Sequence, residues 1–273
     1  MRVLSVLIFL LLPAFSFAAT VDTVNIYSEA MHITKKCVVI KPDGYKKKSE
    51  AFPAVYLLHG YAGAYSDWIK KVPAIKNYAD EYHFLIVCPD GDFSSWYFDS
   101  PVDSSMKYET YISKEVPAFI DAHYRTVRQR NARAITGLSM GGHGAFFIAF
   151  RHSDFFGACG SMSGGMDLKA VSTRFDISKR LGDTLNHAEN WLKYSVIGVV
   201  ENKPSEPLAI TFDCGVDDFF HEGNKELHEE LLQLKIPHDY TERPGNHSWD
   251  YWANSIQYHL LFFKKYFDRS LNK

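Results

Sequence analysis

Residues 132–150, ARAITGLSMGGHGAFFIAF, decide the fold class because they place a serine between a short strand and a helix. Residues 132–136 predict the strand, and residues 141–150 predict a helix that packs closely through its small side chains. The turn between them reads Gly-x-Ser-x-Gly around Ser139. This is the pattern of a nucleophile elbow, in which the serine occupies a strained turn and flanking glycines avoid clashes. The sequence therefore predicts that Ser139 is a nucleophile, at a helix start that favours negative charge.

Short apolar runs alternate with helical patterns outward from this elbow. The predicted strands are 54–58, 84–88, 132–136, a weaker 156–162, 207–212 and 238–242, and the predicted helices are 104–124, 141–150, 222–234 and 248–267. Near-continuous apolar strands indicate a sheet buried on both faces, which is parallel with crossover helices. Residues 21–26 and 33–40 predict an antiparallel opening pair. We expect a doubly wound α/β fold in a single domain, with loops and short helices over 166–204.

Composition narrows the class of protein. The chain has 273 residues, of which 46% are apolar and 23% charged, and its formal net charge is −2. These values are typical of a soluble globular protein, and they predict no nucleic-acid partner, which would need a concentrated cationic face. The cysteines lie in or at the ends of apolar runs and form no Cys-x-x-Cys pair, so we expect buried thiols, with room for one disulfide, and no metal site. They are Cys37, Cys88, Cys159 and Cys214.

The first residues predict a signal peptide over 1–18. Arg2 precedes an apolar run, 3–12, which is followed by Pro13 and a small-residue cleavage site near Ala18 and Ala19. The run is shorter than the about 20 residues that span a membrane, which disfavours the alternative of an uncleaved anchor. We therefore expect a secreted or periplasmic protein whose mature domain covers 19–273, without stable membrane contact after cleavage.

A serine hydroxyl needs a base beside it, and the base needs an acid to orient it. In this class of site the chain order is serine, acid, histidine. His247 follows the predicted strand 238–242 on a loop, so it is expected at the carboxyl edge of the sheet. His221 is the rival base, but it follows the acid loop too closely to come after another strand. The sequence favours His247.

The acid is expected on the loop after strand 207–212. Asp213 still belongs to the strand end, so Asp217 and Asp218 are the candidates. Spacing does not choose between them, and the other carboxylate is expected to be solvated or to cap a helix.

A developing oxyanion needs hydrogen-bond donors as well. One is the backbone N–H of the residue after the nucleophile, here Met140, and the other comes from the loop after an earlier strand. Residues 59–63, His-Gly-Tyr-Ala-Gly, follow strand 54–58 and are rich in glycine, so their amides can turn inward. We predict that Tyr61 N–H is the second donor.

Several motifs, in order along nearly the whole mature chain, resemble the putative-esterase family. They are 58–63 with Trp68, 108–111, 137–142, 214–219 and 245–249. This family has the α/β-hydrolase fold and includes feruloyl and acetyl-xylan esterases of carbohydrate esterase family one, tributyrin esterases, S-formylglutathione hydrolases and mycolyltransferases. The resemblance implies that Asp218, the last residue of Cys-Gly-x-x-Asp, is the acid, and it supports Tyr61 and Met140 as donors. It implies a serine esterase without a cofactor; the signal peptide argues against the cytosolic formylglutathione branch.

The substrate is expected to be a carboxylic ester, on a small molecule or a polysaccharide. Export, and relatives that deacylate plant polysaccharides, favour feruloyl or acetyl esters on carbohydrate. The candidates for substrate binding are Trp96, Tyr97, Ser163 and Trp249, with core packing as the alternative for each aromatic ring. The same residues would serve an acyltransferase, and a small-acyl esterase of the tributyrin type is a further alternative. A non-catalytic module on this fold would be expected to lack a member of the triad, and none is missing.

Overall fold

Eight strands form one sheet in the computed structural model, which describes residues 19–45 and 50–271. They are β1 (Thr20–Ser28), β2 (Ile33–Lys41), β3 (Ala54–Leu58), β4 (Leu85–Pro89), β5 (Arg133–Gly137), β6 (Ala158–Met162), β7 (Ala209–Gly215) and β8 (Asp239–Arg243). Their order is β1-β2-β4-β3-β5-β6-β7-β8. The pairs β1–β2 and β2–β4 are antiparallel, and every other neighbouring pair is parallel. This confirms the predicted mostly parallel sheet with an antiparallel opening. The predicted signal peptide lies outside the described residues.

The strands are buried to the extent that is typical of a parallel sheet. Every residue of β3, β4, β5 and β6 is buried, as near-continuous apolar runs require when helices cover both faces. Only β8, at the edge, has no buried residue. Because β3 to β8 run parallel, their carboxyl ends meet at one rim, where their loops converge.

Helices cover the two faces of the sheet. They are α1 (Asp67–Lys71), α2 (Ile75–Tyr82), α3 (Tyr108–Thr110), α4 (Val116–His123), α5 (Met140–Arg151), α6 (Ile177–Leu181), α7 (Ala188–Lys193), α8 (Val196–Val200), α9 (His221–Gln233) and α10 (Trp249–Leu271). Apolar residues of α1, α2 and α10 form one core layer, and those of α4 to α9 form the other. Among the described residues, no helix is long and apolar enough to cross a membrane.

The elements follow the sequence prediction with local differences. The helix predicted over 104–124 begins at Tyr108 and passes through one π-helical turn, Tyr111–Glu115. Helices α1 and α2, between β3 and β4, were not predicted. The irregular region 166–204 contains loops, a 3₁₀ turn at Lys169–Val171 and the short helices α6, α7 and α8, as expected.

All four cysteines are buried and free. Cys37 and Cys88 lie on the neighbouring strands β2 and β4, where Val38 pairs with Cys88 and Cys37 with Pro89. Because side chains alternate along a strand, this offset sends the two thiols to opposite faces of the sheet, and each joins a different core layer. The expectation of buried thiols is confirmed, and the disulfide left open by the sequence does not form.

Candidate active site

The turn between β5 and α5 holds Ser139 in a strained conformation. Its backbone has φ 54° and ψ −118°, a combination that residues other than glycine rarely adopt. The Ser139 N–H donates to the carbonyl of Met162 at 2.9 Å, and its own carbonyl accepts the His143 N–H at 3.0 Å. These bonds hold the serine at the carboxyl edge of the sheet, at the start of α5, as a nucleophile elbow requires.

Glycine is needed in this elbow because backbones approach each other closely. A Cβ on Gly141 would lie 2.5 Å from the carbonyl oxygen of His59, and one on Gly137 would lie 2.5 Å from the carbonyl oxygen of Gly141. The absence of a side chain at Gly141 therefore lets α5 pack directly against the loop after β3. The result is that Ser139 and the 59–63 loop lie side by side.

Three side chains from distant parts of the sequence meet at this edge. His247 Nε2 lies 2.9 Å from Ser139 Oγ, and His247 Nδ1 lies 2.8 Å and 3.0 Å from the two carboxylate oxygens of Asp218. A carboxylate only accepts hydrogen bonds, so Nδ1 carries the proton and Nε2 is free to accept the serine O–H. This is the order of contacts of a serine–histidine–aspartate triad, in which the histidine can take the serine proton during attack.

Further contacts fix the side chains of Asp218 and His247. The Asp218 carboxylate is buried and also accepts the Phe220 N–H at 2.8 Å. The imidazole of His247 packs against Phe219 and, edge to face, against Trp252, at ring-centroid distances of 4.3 Å and 4.8 Å. These contacts limit rotation of the ring and keep Nε2 directed at Ser139 Oγ.

The loop after β3 is fixed by His59, a buried side chain at its start. The Gly91 N–H donates to His59 Nε2 at 2.7 Å, so in the neutral ring Nδ1 carries the proton and donates to the carbonyl of Gly60 at 2.8 Å. Burial lowers the pKa of His59, which favours this neutral form. The Gly60 carbonyl also accepts the Gly63 N–H at 3.0 Å.

The hydrogen bonds to the Gly60 carbonyl orient the predicted oxyanion donor, the Tyr61 N–H. The Gly60 carbonyl and the Tyr61 N–H belong to one peptide unit, and in a trans peptide they point in opposite directions. As the first residue of α5, Met140 has an N–H without an intrahelical acceptor. Tyr61 and Ser139 border the same cavity, and Met140 directly follows Ser139 in the chain.

That cavity has a volume of about 430 Å³. It is lined by the 60–63 loop, by Ser139 and His247, and by aromatic side chains; the remaining lining residues are Asp67, Lys71, Leu138, Phe175, Trp249 and Trp252. Its lining therefore combines aromatic rings with charged and polar groups, which can fix the orientation of a small molecule. Among the described residues, no group of three or more His, Cys, Asp or Glu side chains could hold a metal ion.

Of the four predicted substrate-binding residues, the structure brings only Trp249 to the cavity. Trp96, Tyr97 and Ser163 are buried in the core, with exposed fractions of 1%, 0% and 0%. All three have positive φ angles, and they are buried although each follows a strand at the catalytic edge. For these three positions the expected contact with substrate is therefore corrected to a place in the protein interior.

The rival acid and base lie elsewhere. Asp217 is exposed, and its N–H donates to the carbonyl of Gly245 at 2.9 Å. His221 Nε2 lies 2.9 Å from Glu242 Oε1, at the start of α9. Of these candidates, only His247 contacts Ser139, and only Asp218 contacts His247.

Sequence reasoning missed two aromatic residues of the cavity. Trp252 lies three residues after Trp249 on α10, and this helical spacing could have identified it. Phe175 lies in the irregular 166–204 region, where no periodicity marks its direction. It contacts Tyr61 and Phe219 at ring-centroid distances of 5.4 Å and 5.9 Å and so bridges the loop after β3 and the loop that carries Asp218.

Comparison with known proteins gives a consistent result. The family model described as "Putative esterase" matches residues 28–263. An acetyl esterase of Caldicellulosiruptor saccharolyticus is 26% identical, over 85% of this chain and 94% of that protein. A diacylglycerol acyltransferase/mycolyltransferase of Mycobacterium avium is 27% identical, over 75% and 72% of the two chains. A solved ferulic acid esterase superposes with a TM-score of 0.76 at 28% identity, covering 92% of this chain and all of the other.

Proposed function

The chain belongs to the putative-esterase family and is a carboxylic ester hydrolase, and we propose that it is an exported serine esterase with Ser139, His247 and Asp218 as its triad. The observation that carries the assignment is the pair of contacts made by one imidazole. His247 Nε2 lies 2.9 Å from Ser139 Oγ while its Nδ1 lies 2.8 Å from Asp218.

In the proposed reaction, Ser139 Oγ attacks the ester carbonyl while His247 Nε2 accepts its proton. Asp218 keeps the imidazole in the required tautomer and stabilises its positive form. The negative oxygen of the tetrahedral intermediate accepts the backbone N–H groups of Tyr61 and Met140, each worth about 3 kcal/mol at the transition state. His247 then protonates the leaving alcohol, and a water molecule that it activates releases the acid and restores Ser139.

For the substrate we propose feruloyl or acetyl esters on plant polysaccharide. An acetyl esterase and a ferulic acid esterase are among the similar proteins, which supports both acyl groups. Trp249 and Trp252 border the cavity and meet edge to face at 5.5 Å, so an aromatic wall is available to a sugar or an aryl group.

The test is a hydrolysis panel of methyl ferulate, acetylated xylan, tributyrin and p-nitrophenyl acetate, run with the unaltered chain and with Ser139→Ala. We expect turnover of at least one ester and a loss of several orders of magnitude in the variant. Retained turnover in a folded Ser139→Ala protein would contradict the nucleophile assignment. A chain that cleaves tributyrin but neither methyl ferulate nor acetylated xylan would contradict the substrate proposal alone.

Export is tested separately. Expression of the complete chain, followed by fractionation and N-terminal sequencing, should give a mature protein that begins near Ala19. A protein retained with residues 1–18 attached would contradict cleavage of the proposed signal peptide.

Acyl transfer is the second candidate because a mycolyltransferase is among the relatives. In that case a sugar hydroxyl replaces water at the acyl-enzyme. Product analysis with a hydroxylated acceptor separates the two: transfer gives a new ester, whereas hydrolysis gives free acid at every acceptor concentration.

A further inference from the structure

Tyr97 occupies a socket next to the proposed catalytic centre. Its side chain is completely buried, and it and Trp96 both have left-handed backbones, with φ angles of 63° and 54°. Two consecutive non-glycine residues in this region are strained and persist only when surrounding contacts fix them. One such contact joins the Trp96 carbonyl to His143 Nδ1 on α5, at 3.0 Å.

Two glycines shape the socket. A Cβ at Gly91 or at Gly144 would overlap atoms of the Tyr97 side chain, so both positions must lack a side chain for the ring to fit. Gly144 lies on α5, one turn after Met140, whereas Gly91 donates its N–H to His59. The ring of Tyr97 is therefore wedged between the helix that carries one oxyanion donor and the residue that holds the loop of the other.

The hydroxyl of Tyr97 completes this connection. It donates to the backbone carbonyl of His59 at 2.9 Å, and the whole Tyr97 side chain is shielded from solvent. His59 Nδ1 in turn donates a hydrogen bond to the Gly60 carbonyl, and the same peptide unit carries the Tyr61 N–H. Tyr97 thus fixes the backbone of the loop one residue before the peptide that must be oriented.

From these contacts we propose that Tyr97 is a positioning residue that keeps the Tyr61 N–H in register with the Met140 N–H. The inference rests on the proposed esterase function, since it concerns the geometry of the oxyanion site. Tyr97 does not line the cavity around Ser139; it acts through His59. Loss of its hydroxyl should therefore weaken stabilisation of the transition state without changing the binding of the ground-state ester.

The test compares Tyr97→Phe with the unaltered chain on p-nitrophenyl acetate and on its thiono analogue, in which sulfur replaces the carbonyl oxygen. Sulfur accepts weaker hydrogen bonds, so the ratio of kcat for the oxygen and sulfur esters reports the oxyanion site. We expect kcat for the oxygen ester to fall about tenfold with KM within about twofold, and the oxygen-to-sulfur ratio to fall at least about threefold. Partial unfolding lowers both rates equally and leaves this ratio unchanged.

Tyr56→Phe is the matched control. Tyr56 is a buried tyrosine on β3, the strand that leads into the same loop, and its hydroxyl has no hydrogen-bond partner among the residues that the structure describes. Its removal should leave kcat and the ratio unchanged. An unchanged ratio in Tyr97→Phe overturns the positioning role. Absence of Ser139-dependent hydrolysis in the unaltered chain would instead contradict the proposed function.

Discussion

His59 Nδ1 donates a hydrogen bond to the carbonyl of Gly60, its own neighbour in the chain, at 2.8 Å. A contact between adjacent residues leaves the peptide that follows very little rotational freedom. Because the other side of that peptide carries the Tyr61 N–H, the His59 side chain orients the N–H that we propose as an oxyanion donor.

Replacement of His59 by the two amides tests this relationship. Asn places its N–H₂ group near the position of Nδ1 and can retain the bond to Gly60, whereas Gln places it near Nε2 and loses that bond. We expect His59→Asn to keep about tenfold more kcat on p-nitrophenyl acetate than His59→Gln, since one misplaced donor costs about 3 kcal/mol at most. Equal kcat in two folded variants, with circular dichroism as the check of folding, would contradict the orienting role.

Asp218 and its neighbour Asp217 form a matched pair for testing the acid. Asp218→Asn should lower kcat by about 10⁴-fold, because the amide favours the wrong imidazole tautomer. Asp217→Asn should leave kcat within about twofold, since that side chain is exposed and does not contact His247. Steady-state kinetics on one ester measure both variants. A larger loss in Asp217→Asn than in Asp218→Asn would reverse the assignment.

His143 predicts an acid-sensitive contribution to stability. Burial lowers its pKa from 6.5 to about 4, against a smaller opposing effect of the carbonyls of Tyr194 and Trp96. The unfolded chain therefore binds more protons than the folded chain between these values, so this contribution is complete above pH 6.5 and is lost as pH falls towards 4. The total is about 3 kcal/mol at most.

The measurement is the free energy of unfolding in urea at several pH values between 7 and 4. In His143→Gln the decline with falling pH should be shallower than in the unaltered chain. His123→Gln serves as the control, because that imidazole is exposed and stacks on Phe119. Parallel pH profiles for the unaltered chain and His143→Gln would show that His143 does not titrate as proposed.

Trp249 should contribute to the binding of large substrates. Trp249→Ala removes an aromatic wall of the cavity, so we expect KM for acetylated xylan oligosaccharides to rise about fivefold while KM for p-nitrophenyl acetate changes by less than about twofold. Tyr258→Ala is the control, since Tyr258 is an exposed aromatic residue on the same helix and does not line this cavity. An equal rise for both esters in Trp249→Ala would indicate a structural effect instead.

The sheet and the position of Ser139 could be anticipated because their signals are local. A buried parallel strand is a short apolar run, and the elbow around Ser139 is a compact pattern with a physical cause. The choice between Asp217 and Asp218 needed the family resemblance, because adjacent residues in a turn differ only in the direction of their side chains. That direction depends on bonds from distant parts of the chain, such as the one between the Asp217 N–H and Gly245.

The substrate-binding residues were harder to predict for the same reason. Trp96 and Tyr97 follow β4 at the catalytic edge, and an ordinary backbone there could present them to the cavity. Both side chains are buried instead, on backbones with left-handed φ angles, and two consecutive aromatic residues in a sequence do not predict that conformation. Phe175, which does line the cavity, is likewise left-handed, with φ 57°, within a region that has no periodic pattern.

The separation of Cys37 from Cys88 on opposite faces of the sheet bears on how this protein can be produced. Since the four thiols are buried and unlinked, the native state owes nothing to an oxidant or a disulfide isomerase. A chain started at Ala19 should therefore reach the same fold inside a reducing bacterial cytoplasm, with no refolding step. For this hydrolase, export would determine the compartment in which it encounters its substrate, and it would not affect folding.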